Sequence, residues 1–390
     1  MLKHLSISLL ILLGGLLAVN AIQFLLPSPG TPGEGLGVRA LCAVTNRNAY
    51  LPEATLVSAL TPGPSPGVPG ERGKAQRYTF TEPHMGTTFR IVLYAADEAT
   101  AKRAAKAAFA RVAELNAIMS DYQPTSELMN LCKKAGGPPV DVSVDLFEVL
   151  QKAQEFAKLT DGAFDVSISP VVRLWRKARR TGVMPKADEI KKALDLVDYR
   201  KIRLEPKGRT VQLLLMGMLL DLGGIAKGYA ADAALAVLRQ HGISRALVAA
   251  GGDIAVGDAP PDAPGWKIGI APLKKPDAPP EHYLLLKNAG VSTAGDSEQF
   301  VEIAGKRYSH IIDPKTGVGL VGRRSVTVIA PNATISDGLD TGLCVLGVER
   351  GLKIVEARED VAALFVFETD KGVETTQSKR FAKYLWRETK

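Results

Sequence analysis

In the run SDGLDTG, Asp337, Asp340 and Thr341 stand at i, i+3 and i+4, a spacing that puts two carboxylates and a hydroxyl on one helix face. These are hard oxygen donors. Mg²⁺ takes few protein oxygens in octahedral geometry and completes its shell with water and phosphate, which this set permits. The same acids also suit the first turn of any helix, where the macrodipole favours negative charge. A second segment, DLGGIAKGYAAD (Asp221 to Asp232), places two glycines after an acid and a lysine inside a helix start. It is neither of the familiar glycine-rich phosphate loops, because Lys227 precedes its glycine and the G-x-G-x-x-G spacing is absent. A third, YSHIIDPKTG, puts His310 on a strand before a Pro-Lys-Thr-Gly turn. A histidine there can take the proton of an attacking hydroxyl, or it can be an ordinary strand residue. Gly251-Gly252-Asp253 would admit a ligand to the backbone or simply turn the chain. Met85 to Phe89 and Gly162 to Pro170 are each ambiguous taken singly.

The elements that must hold these residues alternate irregularly. An alternating strand, Thr87 to Ala96, opens the folded domain and leads into an alanine-rich helix capped by Asp97 and ending near Met119. A second helix spans about Val144 to Leu159 and stops at Gly162. Short strands joined by Pro206-Lys207-Gly208 precede a helix running from Gly224 to His241. RALVAAGGDIAVG reads as a strand ending in a glycine pair, and WKIGIAP as another strand. Strands dominate from Tyr283 to Ile329, a helix begins in ATISDGLDTGLCVLG, and DVAALFVFE is the last strand expected. Consecutive strands mixed with helices indicate an α+β fold.

The whole chain has 390 residues, 46% of them hydrophobic and 23% charged, so a sizeable core is available. Its formal charge of +8 is spread along the sequence without a basic block, which argues against nucleic acid as partner. Cys42, Cys132 and Cys344 form no C-x-x-C pair and the five histidines are scattered, so neither a zinc site nor a disulfide framework is indicated. Lys3 and His4 precede an apolar run from Leu5 to Val19, and Val19-Asn20-Ala21 offers a cleavable junction. Residues 1–26 therefore read as a signal peptide or, if uncleaved, a membrane anchor, and either places the body outside the cytoplasm. Residues 27–76, rich in Pro and Gly, read as a disordered linker before a domain over 77–390.

Taken together and in order, these segments resemble the ApbE family of flavin transferases, the FAD:protein FMN transferases. The likeness rests on Met85-Gly86-Thr87, Met119 to Tyr122, Ser126-Glu127-Leu128, Gly162 to Asp165, Asp221 to Asp232, Gly251 to Asp253, His310 to Gly317 and Asp337 to Thr341. Met129 to Cys132 and Ala249 depart from the residues usual in that family. The resemblance implies a T-fold-like α+β domain with FAD in a groove and Mg²⁺ at its pyrophosphate. Met85, Tyr122, Ala163, Phe164 and Asp165 would hold the flavin and adenine parts, with Tyr122 stacked on a ring; Asp221, Lys227 and Ile311 match further cofactor positions. Asp337, Asp340, Thr341 and the Gly224 carbonyl would hold the metal. The implied reaction moves the FMN part of FAD to a Ser or Thr hydroxyl and releases AMP, with His310 or Asp337 as proton acceptor. The acceptor would be an exported flavoprotein of a membrane redox complex, met in the periplasm or on the outer face of the inner membrane. A homodimer is left open, and the competing readings are an FAD pyrophosphatase and a non-catalytic flavin binder.

Overall fold

The computed structural model describes residues 75–274, 278–295 and 299–387. The leader, residues 27–74 of the linker and Cys42 lie outside the described residues. The chain opens on β1 (Gln76–His84) and β2 (Thr87–Ala95), then α1 (Glu98–Met119), α2 (Glu127–Cys132), β3 (Val140–Asp141) and α3 (Val144–Leu159). Next come α4 (Ser169–Thr181), α5 (Ala187–Leu194), β4 (Ile202–Glu205), β5 (Thr210–Leu213) and α6 (Ala226–Gln240). Strands β6 (Ala246–Ala250), β7 (Asp253–Val256), β8 (Trp266–Ile270), β9 (His282–Leu286) and β10 (Ala289–Gly295) follow. Then β11 (Phe300–Ile303), β12 (Lys306–Asp313), β13 (Val318–Val321) and β14 (Arg324–Ala330) lead to α7 (Ala333–Glu356), β15 (Ala362–Thr369) and β16 (Gly372–Gln377).

The expected α+β class is what the chain adopts, around one eight-stranded sheet in the order β1-β2-β6-β7-β10-β14-β15-β16. Every neighbouring pair in it is antiparallel. Side chains alternate across a strand, so the sheet has two apolar faces. Phe89, Ile91 and Leu93 of β2, with Val326 and Val328 of β14, join the main core under α1, α3, α6 and α7. Val92, Leu247, Ile254 and Leu364 point the other way, onto the β8–β9 hairpin and Phe381. Small residues let α1 and α6 approach closely: Ala101, Ala104, Ala105 and Ala108 on one, Ala230, Ala231 and Ala234 on the other, are all buried. A satellite cluster joins α4 and α5 to the β11–β12–β13 sheet through Val171, Trp175, Val301 and Ile312.

Four expectations need correction. The sheet begins with β1, before Thr87, and ends with β16, after DVAALFVFE. Both are edge strands with mostly exposed, polar sequence, so neither carries a strong apolar alternation. The glycine pair in RALVAAGGDIAVG is a hairpin turn between β6 and β7 rather than a strand end. Helix α6 starts at Ala226, leaving Gly224 in the turn before it. Asp97 does cap α1, accepting from the Thr100 N–H at 2.8 Å.

Two hairpin turns share one end of the sheet. Met85 and Gly86 link His84 to Thr87 with φ of 49° and 72°, the left-handed pair a two-residue hairpin needs. Gly251 turns β6 into β7 with φ of 64° beside them; a Cβ there would stand 3.0 Å from Thr87 Oγ1. Ser292 of β10 lies opposite Asp253 in the ladder, and its hydroxyl meets that of Ser336 on α7 at 2.8 Å. The N-terminal turns of α6 and α7 therefore converge on this sheet end.

Candidate active site

The segment Asp221 to Asp232 is a seam between α6 and α7, and nearly every unusual residue in it has a contact to explain it. Gly228 is where the helices cross: a Cβ there would collide with the Ala333 carbonyl and lie 2.8 Å from Asp337 Cβ. Its N–H donates to Asp337 Oδ2 at 2.8 Å. Gly224 abuts Thr341, with a built Cβ 3.2 Å from Oγ1. On α7 itself, Gly338 and Gly342 make room for Phe156, Thr160 and Phe164, which turns Asp337, Asp340 and Thr341 toward the seam.

Asp232 accepts from Ala333 N (2.9 Å), Thr334 N (2.8 Å) and Thr334 Oγ1 (2.6 Å). It satisfies orphan donors at the start of α7, as a capping carboxylate does from within its own chain segment. Asp232→Ala is expected to lower stability by about 2 kcal/mol, read as a shift of the urea midpoint at unchanged slope.

At the centre, Asp253, Asp337 and Asp340 are all buried, and one oxygen of each lies within 4.8 Å of the others. Lys227 Nζ stands 2.9 Å from Asp253 and 3.7 Å from Asp337, and donates to the Gly223 carbonyl at 2.9 Å. Burial alone would lower the Lys227 ammonium, but Asp253 and Asp337 outweigh it and hold the lysine charged well above its ordinary range. Burial, then the nearby Asp253, pushes Asp337 up to about 7 against the pull of Lys227 and the Gly228 N–H. Burial, then Asp337 and Asp253, raises Asp340 well above the ordinary carboxyl range. Three carboxylates against one ammonium leave an excess of negative charge that a hard divalent cation would neutralise, and the Thr341 hydroxyl adds a neutral oxygen. The donor set fits Mg²⁺.

A pH dependence follows. Asp337 must lose its proton to ligate, so affinity for Mg²⁺ should fall about tenfold or more from pH 8 to pH 6, with proton release visible by calorimetry in buffers of different ionisation heat. In the metal-free protein the sign is opposite for stability. Folding there raises the Asp337 pKa from 3.8, so the contribution is full in acid and is lost as pH rises through about 7.

The other residues singled out from sequence are spread around this cluster. Met85 forms the strained hairpin turn. Tyr122 lies just beyond α1 and is 72% exposed, with the Arg176 guanidinium 4.2 Å from its ring centroid. Asp221 pairs with Arg176 at 2.8 Å and accepts from Gly223 N. Ala163 and Phe164 are buried, and Phe164 meets Phe156 edge to face. The Asp165 carboxylate is taken up locally by Ser167 N, Ser167 Oγ and Tyr199 N. Ile311 is buried in the main core beside exposed His310, whose Nδ1 is 3.1 Å from the Gln299 carbonyl. The structure thus gathers Gly224, Lys227, Asp337, Asp340 and Thr341 in one place, adds Asp253, and gives Asp165 a structural task. Asp253 and Asp232 carry no distinct signal in the sequence beyond an acid directly after two glycines for the former.

The chain matches the ApbE family over residues 85–365. It is 35% identical over 294 residues to the FAD:protein FMN transferase of Klebsiella pneumoniae, covering 74% of this chain and 89% of that one. With the FAD:protein FMN transferase of Treponema pallidum it shares 34% identity over 319 residues, 78% of this chain and 88% of the relative. Among solved structures, the flavin transferase ApbE from Vibrio cholerae aligns with a TM-score of 0.72 at 31% identity, over 80% of this chain and 100% of that chain.

Proposed function

Because the chain belongs to the ApbE family, we propose that it is an FAD:protein FMN transferase, moving the FMN part of FAD to a Ser or Thr hydroxyl of an acceptor protein and releasing AMP. The observation that carries this reading is the buried Asp253, Asp337 and Asp340 cluster with Lys227, set where two helix starts meet the sheet end. Mg²⁺ held by Asp337, Asp340, Thr341 and the Gly224 carbonyl would offset negative charge on the pyrophosphate oxygens.

The chain's own residues do the rest. Tyr122 offers an exposed ring face to the flavin or adenine, and the family resemblance assigns Met85, Ala163 and Ile311 to the same cofactor, the last two from buried positions. Lys227 places a fixed positive charge beside the metal ligands. The acceptor oxygen forms a bond to the FMN-side phosphorus as the bond from that phosphorus to the AMP oxygen breaks. The hydroxyl proton passes to His310, an exposed residue of β12, the middle strand of the β11–β12–β13 sheet. The leader over residues 1–26 supports an acceptor met outside the cytoplasm, as an exported part of a membrane redox complex.

One incubation tests the reading: protein, FAD, Mg²⁺ and a candidate acceptor carrying the Ser/Thr-Gly-Ala-Thr-like motif that the family resemblance implies. The expected result is flavin fluorescence on the denatured acceptor band together with AMP. AMP with free FMN and an unlabelled acceptor points to hydrolysis instead, and tight FAD binding without either product removes both enzymatic readings.

A further inference from the structure

Arg176, on the second turn of α4, touches three residues from two other parts of the chain. Its guanidinium pairs with Asp121 Oδ2 through Nη1 and with Asp221 Oδ2 through Nη2, the latter at 2.8 Å. Its planar head also lies against the Tyr122 ring, 4.2 Å from the centroid. The position of the arginine is fixed from behind. Neighbouring Trp175 is 3% exposed, donates its indole N–H to the Gly317 carbonyl at 2.8 Å, and packs 5.2 Å from the Tyr308 ring.

Tyr122 is differently placed. Its backbone is set by Ser120 Oγ, which accepts from Tyr122 N and Gln123 N at 3.3 Å each, while most of its side chain faces solvent. An exposed tyrosine is ordinarily free to sample rotamers. Here one ring face is occupied by a guanidinium that two carboxylates hold in place, a contact suited to Arg and poorly imitated by Lys. For Asp121 the pairing offsets part of its surroundings: burial and then Asp221 push its carboxyl up, and Arg176 opposes both.

We propose that Arg176 is a positioning residue that holds the Tyr122 ring as a preformed, one-sided shelf for an aromatic ring of FAD, and locks Asp221 beside it. The inference rests on the reading that this chain binds FAD with Tyr122 against a ring. Arg176 need not touch FAD; it removes the ordering that binding would otherwise impose on the tyrosine.

The test is a double-mutant cycle on FAD itself. The dissociation constant of FAD with Mg²⁺, and the quenching of bound flavin fluorescence, are measured for the parent, Arg176→Gln, Arg176→Lys, Tyr122→Leu and the Arg176→Gln/Tyr122→Leu pair. Arg176→Gln is expected to weaken FAD about tenfold and relieve the quenching, Arg176→Lys to rescue little, and Arg176→Gln to add less than about twofold in the Tyr122→Leu background. Equal losses with and without Tyr122 would overturn the proposal while leaving FAD binding intact. Failure of the parent to bind FAD, or full affinity in Tyr122→Leu, would instead overturn the underlying reading and the proposal with it. Should Arg176→Gln not fold, Asp121→Asn loosens one tether and keeps the other. It is then expected to weaken FAD about threefold in the parent and not in the Tyr122→Leu background, and additivity again rejects the proposal.

Discussion

Asp337→Asn should reduce flavin transfer by about a thousandfold or more while leaving a folded protein. The side chain is nearly isosteric, and its amide oxygen can still accept the Gly228 N–H that now goes to Asp337 Oδ2. What changes is charge. One of three buried carboxylates is neutralised, so the cluster loses both a ligand and part of the field that selects a divalent cation over Lys227 alone. Without added metal the variant should melt no lower than the parent, because a buried like-charge repulsion is relieved. With millimolar Mg²⁺ the parent should gain thermal stability and the variant should not. Scanning fluorimetry with and without Mg²⁺, beside the transfer assay, checks all three; turnover at parental rate would remove Asp337 from the site.

Gly228→Ala should cost about 3 kcal/mol or more, among the largest losses available from adding a single methyl group. Ordinarily that exchange stabilises a helix by about 1 kcal/mol. Here the new Cβ would run into the Ala333 carbonyl and Asp337 Cβ, neither of which is the end of a flexible side chain. The helices must part, and the bond from Gly228 N to Asp337 goes with them. Gly224→Ala offers the contrast. Its Cβ meets Thr341 Oγ1 at 3.2 Å and the Phe164 ring at 3.3 Å, so it should disturb Mg²⁺ affinity more than folding. Urea denaturation of both variants, with Mg²⁺ titration of each, separates the two effects; a parental urea midpoint for Gly228→Ala would reject the crossing.

What the sequence disclosed was whatever is local. The Asp337, Asp340 and Thr341 spacing is a property of one helix turn, and the Asp97 cap and the helix over Val144 to Leu159 are written within a few residues. Asp253 is different: its nearness to Asp337 depends on β7 pairing with β6 and β10, and on α7 lying across that sheet end. Asp232 and Arg176 are likewise unremarkable until the chain brings partners to them from distant segments. The edge strands β1 and β16 were hidden for another reason: with one flank unpaired and few buried side chains, their residues carry little periodic signal.

The bonds across the α6–α7 seam join residues 109 positions apart at Gly228 and Asp337, and 102 apart at Asp232 and Thr334. Closing so long a loop is entropically slow, and every strand from β6 to β14 lies within it. Four of the eight sheet strands, β6, β7, β10 and β14, lie within that loop, so the cluster should be completed late in folding. Amide protons at the seam should exchange with solvent through global rather than local unfolding, with Mg²⁺ slowing them in step with the central strands. Protection of these amides by Mg²⁺ should then report on the α6–α7 seam and the strands between the two helices together, and not on the carboxylate cluster alone.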